Sequence, residues 1–253
     1  MQTINRLSII VPVYNEASTI ITILEQIQKV ELLNKIQKEI VIVNDCSSDE
    51  TDLQINGFLS NQSANNFVYI KHDQNLGKGA CVHTGLRHAT GDYIIVQDAD
   101  LEYDPQEYNL LLPPVLKGVA DVVYGSRFVS SSPHRTLFFW HSVGNKFLTF
   151  LSNAFTDLNL TDMETCYKLL PAEMLRELNL KEKGFGFEPE VTAKIAKVKG
   201  IRIYEVGISY YGRTYEEGKK INWRDGIRAV YCILKYNLAR KQSIRWSKKN
   251  DNQ

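Results

Sequence analysis

A chain of 253 residues with a formal net charge of +1 can bury a substantial core as one large domain, and the near balance of 30 basic against 29 acidic residues gives no case for nucleic-acid binding. The four cysteines, Cys46, Cys81, Cys166 and Cys232, have neither CxxC nor His spacing, which argues against a zinc site or disulfide framework and for reduced thiols in a cytosolic compartment. A strand begins a few residues from Met1 and no charge-free apolar run reaches the length of about 18 residues that a spanning helix needs, so the expectation is no secretory signal and a protein that is soluble or sits on a membrane without crossing it.

Residues 7–13 (LSIIVPV) read as a short apolar strand with Pro12 near its end, where a missing amide costs least. Tyr14, Asn15 and Glu16 follow. From Ser18 an amphipathic helix is predicted, with Ile20, Ile21, Leu24, Ile27, Val30 and Leu33 at helical spacing. Residues 39–44 are a second strand ending at Asp45 and a turn-rich run through Asp49 and Thr51, and residues 67–71 are a third. Residues 77–90 read as a helix whose start carries Lys78 between two glycines. A lysine so placed can face a phosphate, although the spacing is neither a Walker A loop nor a GxGxxG run.

Residues 93–97 form a fourth, β-branched strand bounded by Gly91 and Asp92. The alternation of strand and helix periods predicts an α/β domain whose central sheet is mostly parallel and flanked by helices. In such a sheet ligands bind outside the carboxyl ends of the strands. Glu16, Asp45 and the cluster Asp98, Asp100 and Glu102 fall on that edge, followed in the same run by Asp104 at a helix start, which with the cluster makes four acids at alternate positions: Asp98, Asp100, Glu102 and Asp104. On an extended chain the last four would share one side and repel one another unless a cation, water or hydrogen bonds relieved them. A divalent metal holding a phosphorylated substrate is one explanation; a solvated acidic loop is the other.

In the second half, residues 110–116 continue a helix entered through Asp104 and Pro105, and residues 121–124 are a strand leading to Arg127. A helix over 136–158 carries an aromatic stripe, including Trp140, Phe147 and Phe155, beside Arg135 and Lys146; it either packs on the sheet or faces lipid or another subunit. The run 161–168 (TDMETCYK) precedes a short helix over 172–178. In 184–190 (GFGFEPE), Pro189 suits a first helical position and Glu188 a cap. After a late strand over 201–206, the loop 210–220 offers Arg213, Lys219 and Lys220 for phosphates, and a helix over 223–238 leads to a basic end suited to an anionic membrane surface.

Five runs, PVYNE (12–16), NDCSSDET (44–51), NLGKG (75–79), ATGDYIIVQDADLEYDP (89–105) and YGSRF (124–128), resemble family 2 glycosyltransferases of the GT-A fold, and among them the polyprenyl-phosphate sugar transferases. The resemblance covers roughly residues 5–236. It implies a single catalytic domain over 1–236, with a nucleotide-sugar half (5–128), an acceptor half (129–236) containing the 136–158 helix and the 210–220 loop, and a basic tail over 237–253. Carried to this sequence, it places Pro12, Tyr14 and Glu16 at the base and ribose, Asp45 on the nucleoside with Asp49 supporting that loop, and Lys78 and Asp98 on the donor. Asp98 and Asp100 stand at the DxD motif with Glu102 where the family often has Gln, implying Mg²⁺ or Mn²⁺. Asp162 falls closest to the acceptor, with Glu164 a charge or base nearby and Lys168 the partner of a carboxylate. Arg127, Arg213 and Lys219 address the acceptor phosphate.

The implied reaction is an inverting transfer of mannose or glucose from a GDP- or UDP-hexose to a polyprenyl or dolichyl phosphate, on the cytoplasmic face of a membrane. A saccharide or protein acceptor is the alternative. A sugar-phosphate nucleotidyltransferase would need a glycine- and arginine-rich loop where Tyr14, Asn15 and Glu16 stand. An oligomer is left open.

Overall fold

A computed structural model describes residues 3–62, 66–129, 135–136, 138–214, 216 and 223–239. Its first strand, β1 (Arg6–Val13), is a β-branched run buried on both faces, which is why it is continuously apolar rather than alternating. It pairs in parallel with β2 (Gln37–Asn44) on one side and β4 (Tyr93–Val96) on the other, while β3 (Phe67–Lys71) adds to β2 as an edge. Beyond β4 lie β6 (Lys168–Pro171), β5 (Val122–Ser126) and β7 (Ile203–Gly207), giving the order β3-β2-β1-β4-β6-β5-β7. Only β6 among these seven runs against the others. The expected mostly parallel sheet is present. The order reverses between β1 and β4, so a crevice opens outside their carboxyl ends.

Helices α1 (Ile20–Lys29), α2 (Thr51–Ser60), α3 (Lys78–His88), α4 (Tyr108–Leu116) and α6 (Ala172–Glu177) follow their strands as crossovers or caps of the sheet. Helix α1 is shorter than its apolar spacing suggests. The Lys38 ammonium donates to the carbonyls of Ile27 (2.8 Å), Gln28 (2.7 Å) and Val30, satisfying the last turn and ending the helix there. Leu33 consequently falls in a separate turn, 39% exposed.

Helices α5 (Phe139–Thr156), α7 (Phe187–Ile195) and α8 (Trp223–Leu238) pack against one another beside the second half of the sheet. Helix α5 is narrower than 136–158, entered from an extended Phe138 and ended by Asp157 in the left-handed region. Its stripe does not pack on the sheet. Thr149 and Ser152 are its buried residues, whereas Phe139, Trp140, Phe147 and Phe150 are 69%, 78%, 55% and 69% exposed. Helix α8 likewise buries Ala229, Cys232, Ile233 and Tyr236 and presents Trp223, Ile227 and Tyr231 outward. Among the described residues no helix is long and apolar enough to cross a membrane. Helix α7 starts at Phe187, so Pro189 is its third residue and Glu188 lies inside the first turn instead of capping it. All four cysteines are free thiols, and burial raises those of Cys81 and Cys166.

Candidate active site

The carboxyl ends of β1, β2, β4 and β5 deliver the loops that carry the polar residues of the crevice. After β1, Asn15 adopts a left-handed conformation and locks to the turn after β2: its amide donates to Ser47 Oγ (3.0 Å) and its side-chain oxygen accepts from Ser48 N (2.8 Å). Asp49 accepts from Ala17 N (3.2 Å) and Thr51 N (3.0 Å), and so supports this pair of loops. Pro12, the last residue but one of β1, is half-buried and Tyr14 is 39% exposed at the crevice rim.

Asp45 departs from its expected role. Its carboxylate is buried and committed, accepting from Leu76 N (2.9 Å) and Gly77 N (2.7 Å) and bonding His72 Nδ1 (2.7 Å), whose other nitrogen meets Thr84 Oγ1 (2.9 Å). What it does is anchor the 75–79 loop, where Gly77 has φ +95°. Gly79 also has a packing reason: a Cβ there would lie 2.4 Å from the Glu182 carbonyl oxygen. The anchored loop aims Lys78 at Asp98, with 2.7 and 2.8 Å to its two oxygens. Burial opposes the charge on Lys78, but Asp98, Cys166 and Glu188 outweigh it and hold the ammonium well above its usual range.

The acidic run is not extended. Leu101 has φ +63°, and the chain turns back through Asp98 to Glu102, so the acids do not line one side of a strand. Gln97, just past β4, is buried beneath the turn; its oxygen accepts from the hydroxyls of Tyr108 (2.6 Å) and Tyr167 (2.5 Å), and its amide donates to Asp98 O (3.0 Å). Asp104 takes no part in the cluster: it accepts from Gln106 N (2.9 Å) at the start of the turn leading into α4.

The carboxylate repulsion foreseen for this run is met by protein cations as well as by hydrogen bonds. Arg213 sits 3.1 Å from Glu16 Oε1, 3.4 Å from Asp100 Oδ2 and 4.0 Å from Glu102 Oε1. Burial works against that guanidinium, and its bonds to Glu16 and the charges of Asp100 and Glu102 raise it nonetheless. Asp100 is pushed up to about 7 by burial first, then by Asp98 and Glu102, with Arg213 opposing. Glu102 accepts from Tyr210 Oη (2.6 Å) and Arg213 N (2.7 Å). Arg213 is therefore lodged among the acids here.

Across the crevice, Arg127 and Asp162 form a closed pair, Nε to Oδ2 at 2.6 Å and Nη2 to Oδ1 at 2.7 Å. Burial disfavours the Arg127 charge and Asp162 more than restores it. Asp162 is 0% exposed and also accepts from Arg127 N (3.1 Å) and Asn145 Nδ2 (3.4 Å), so the expected contact with the acceptor is not available to it. Its place is behind Arg127, which lies 5.1 Å from the Tyr210 ring. Lys168 does pair with a carboxylate, the buried Glu188. Glu164, half-buried, is pushed up to about 7 by burial and by Glu188, against Lys168 and Arg127. Lys219 and Lys220 lie outside the described residues.

A family sequence model described as "Glycosyl transferase family 2" matches residues 8–178. This chain belongs to glycosyl transferase family 2. The strongly packed turn at the switch point is thus the acidic turn of a family 2 enzyme, a glycosyltransferase, and the nucleotidyltransferase alternative falls. A UDP-N-acetylglucosamine–dolichyl-phosphate N-acetylglucosaminyltransferase of Methanococcus voltae is 26% identical over 92% of this chain and 96% of the relative. A dolichol-phosphate mannosyltransferase of Pyrococcus furiosus is 25% identical over 91% of this chain and 64% of the relative. A prophage bactoprenol glucosyl transferase homolog of Escherichia coli K12 is 30% identical over 69% of this chain, which spans 55% of that protein's length. Among solved structures, a glucosyl-3-phosphoglycerate synthase of Mycobacterium tuberculosis in complex with Mn²⁺, UDP and phosphoglyceric acid superposes with a TM-score of 0.69 at 16% identity, over 92% of this chain and 78% of the other. The fold is GT-A.

The donor set of the family 2 acidic turn suits a hard divalent ion: three carboxylates, with Asp100 pushed up by burial and then by Asp98 and Glu102, whose repulsion a cation would relieve. Their present arrangement is not yet a chelate. Among the described residues the donor atoms that come within 4.8 Å of one another belong to Asp45, His72 and Cys81, and not to Asp98, Asp100 and Glu102. That first cluster is an internal hydrogen-bond network, since the Asp45 oxygens are already committed. A cavity of about 410 Å³ lined by Arg6, Gln37, Lys38, Glu39, Asn66 and Val68 lies at the amino ends of β1 to β3, the edge away from the acids. The sequence offered no signal for His72 beneath Asp45 or Tyr210 on Glu102; the only hint of the Lys78–Asp98 pair was a lysine between glycines.

Proposed function

We propose that this glycosyltransferase moves a hexose, mannose or glucose, from a GDP- or UDP-sugar to a polyprenyl or dolichyl phosphate with inversion, dependent on Mg²⁺ or Mn²⁺. The observation that carries the reading is the acidic turn, with Lys78 on Asp98 and Arg213 lodged among its carboxylates, facing Arg127 across the crevice. Donor diphosphate fits the first and an anionic acceptor the second. The dolichyl or dolichol phosphate in the names of two relatives and the bactoprenol in the name of a third support the choice of acceptor.

Pro12, Tyr14, Glu16 and the loop anchored by Asp45 form the nucleoside side, and Lys78 offsets donor charge beside Asp98. Asp98, Asp100 and Glu102 would hold the divalent ion. When bound there, it supplies electrostatic stabilisation of the charge that develops on the leaving nucleoside diphosphate. Arg127, fixed by Asp162, together with Arg213 and Lys219, orients the acceptor phosphate, whose oxygen attacks the anomeric carbon from the face opposite the leaving group. A phosphate is already anionic at neutral pH and needs no general base, so Glu164 is not required to take a proton. The outward aromatic faces of α5 and α8, with Lys146, Arg224 and Arg228 among them, suit a peripheral position on an anionic cytoplasmic leaflet that holds the acceptor.

A panel of GDP- and UDP-sugars assayed with undecaprenyl and dolichyl phosphate in Mn²⁺ tests the reading. One donor should give a sugar–lipid product. No lipid product with any donor, alongside transfer to a saccharide or protein, contradicts it.

A further inference from the structure

Beneath the donor side of the crevice, four side chains form one hydrogen-bonded chain. Asp45 Oδ1 lies 2.7 Å from His72 Nδ1, His72 Nε2 lies 2.9 Å from Thr84 Oγ1, and Arg87 Nη2 donates to that same oxygen (3.0 Å). The side chains of Asp45 and His72 are 3% and 8% exposed, and Thr84 is buried with them. Arg87 is the exposed end.

The chain has a direction. A carboxylate only accepts, so His72 Nδ1 carries the proton shared with Asp45. At the other end Thr84 Oγ1 already accepts from Arg87, and its own proton has no acceptor among the described residues other than His72 Nε2. The hydroxyl therefore donates to Nε2 and holds His72 as the neutral tautomer protonated at Nδ1. An imidazolium would donate from Nε2 as well and leave the buried hydroxyl proton without a partner.

The Asp45 end meets the donor loop. Its carboxylate also accepts from Leu76 N (2.9 Å) and Gly77 N (2.7 Å), the two amides that precede Lys78. Held by those adjacent amides alone, the carboxylate could still turn about its Cβ–Cγ bond. The bond to His72, itself pinned at Nε2, stops that rotation. Lys78, next in the chain, ends 2.7 and 2.8 Å from the Asp98 oxygens.

We propose that His72 and Thr84 are positioning residues of the donor site: together they lock the Asp45 carboxylate in one orientation, which fixes the 75–79 loop and aims Lys78 at the donor diphosphate. This rests on the donor side of the function proposed above. Both residues are buried, so their effect passes through Asp45 and two backbone amides, and it depends on the direction of the hydrogen bonds more than on side-chain bulk. His72→Asn can place an amide N–H where Nδ1 stands and satisfy Asp45, whereas His72→Leu cannot. Thr84→Ser keeps the hydroxyl; Thr84→Val keeps the shape and loses it.

Two measurements on the whole chain test this. Nitrogen NMR of labelled imidazoles at neutral pH should show His72, identified by its loss in His72→Asn, protonated at Nδ1 and bare at Nε2. Thr84→Val should abolish that pattern and Thr84→Ser keep it. Calorimetric binding of UDP and GDP in Mn²⁺ should give, for the diphosphate that the wild type binds, an affinity about tenfold weaker in His72→Leu and about threefold weaker in Thr84→Val, with His72→Asn and Thr84→Ser within about twofold of the wild type. His72→Asn does not restore the packing of the imidazole, so its recovered affinity separates positioning from packing; if His72→Leu does not fold, the Thr84 pair decides alone. A proton on Nε2 in the wild type, or diphosphate affinities that separate neither His72→Leu from His72→Asn nor Thr84→Val from Thr84→Ser, would overturn the positioning role and leave the donor reading standing. Binding of neither diphosphate by the wild type would overturn the donor reading, and the positioning role with it.

Discussion

Removing the Asp162 carboxylate leaves the Arg127 guanidinium buried without its counter-charge, and that, more than any lost ligand contact, sets the cost of changing this residue. Asp162→Ala should lower stability by about 3 kcal/mol in denaturant titration, as expected when one partner of a buried ion pair is deleted. A stability unchanged to within a few tenths would mean that Arg127 finds another partner. Asp100→Ala acts on the opposite side of the crevice. It should abolish divalent-dependent binding of the nucleotide sugar, measured calorimetrically with and without Mn²⁺, while leaving the fold intact because Asp100 sits in a turn and packs no core. Of these residues the sequence displayed types and spacing: the acids after β4, Lys78 between glycines and Arg127 after β5 were all legible. It did not display commitment. Asp45, on the binding edge, and Asp162, placed by the family resemblance, read as ligand contacts, and only tertiary structure shows that His72, the Leu76 and Gly77 amides, and Arg127 have already taken their oxygens.

At the scale of elements, helix α8 is tied to the 75–79 loop through Glu182. Its carboxylate accepts from Tyr236 Oη (2.6 Å), Lys235 Nζ (2.9 Å) and Arg228 Nη2 (2.5 Å), while the 182–183 backbone packs on Gly77 and Gly79. Burial would raise the Glu182 carboxyl, but the bonds from Tyr236, Arg228 and Lys235 overcome it and bring it down to about 2. A carboxyl held below its unfolded value stabilises the fold above that value, so this contribution is complete above about pH 4.5 and is lost as pH falls towards about 2. Glu182→Gln should therefore cost about 1–2 kcal/mol at pH 7, discounted for the exposure of Arg228 and Lys235, and should flatten the acid limb of the stability curve in that window. An acid limb unchanged by the substitution would show that other carboxylates govern it. The apolar period of α5 and α8 was legible in the sequence, but periodicity alone does not say which neighbour a stripe meets. In α5 the small polar Thr149 and Ser152 face inward because α7 and α8 crowd that side, and the aromatics are left outside. Trp140→Glu with Phe150→Glu should abolish sedimentation with vesicles containing anionic lipid and leave the melting temperature within about 2 °C, since both side chains are mostly exposed. Vesicle binding that survives the double substitution would contradict the membrane face.

For the whole molecule, the doubly wound half was recoverable from strand and helix periods because β1, β2 and β4 are buried β-branched runs separated by helices. The second half was less so. There β6 is four residues long and antiparallel, β7 is only partly buried, and the chain closes back on the first half through Glu107 with Ser209 and through the contacts of Arg213, pairs separated by about a hundred residues or more that local pattern cannot anticipate. These long-range closures bring the 209–213 segment onto Glu16, Asp100, Glu102 and Glu107 and make one crevice of two halves. The central claim is that this crevice joins a nucleotide sugar to a lipid phosphate. It is tested most directly by measuring nucleoside diphosphate release from the preferred donor in Mn²⁺, with and without polyprenyl phosphate. Release that rises with the lipid phosphate and stays at background with soluble sugars is the predicted result; release driven by a soluble sugar and indifferent to the lipid would contradict it.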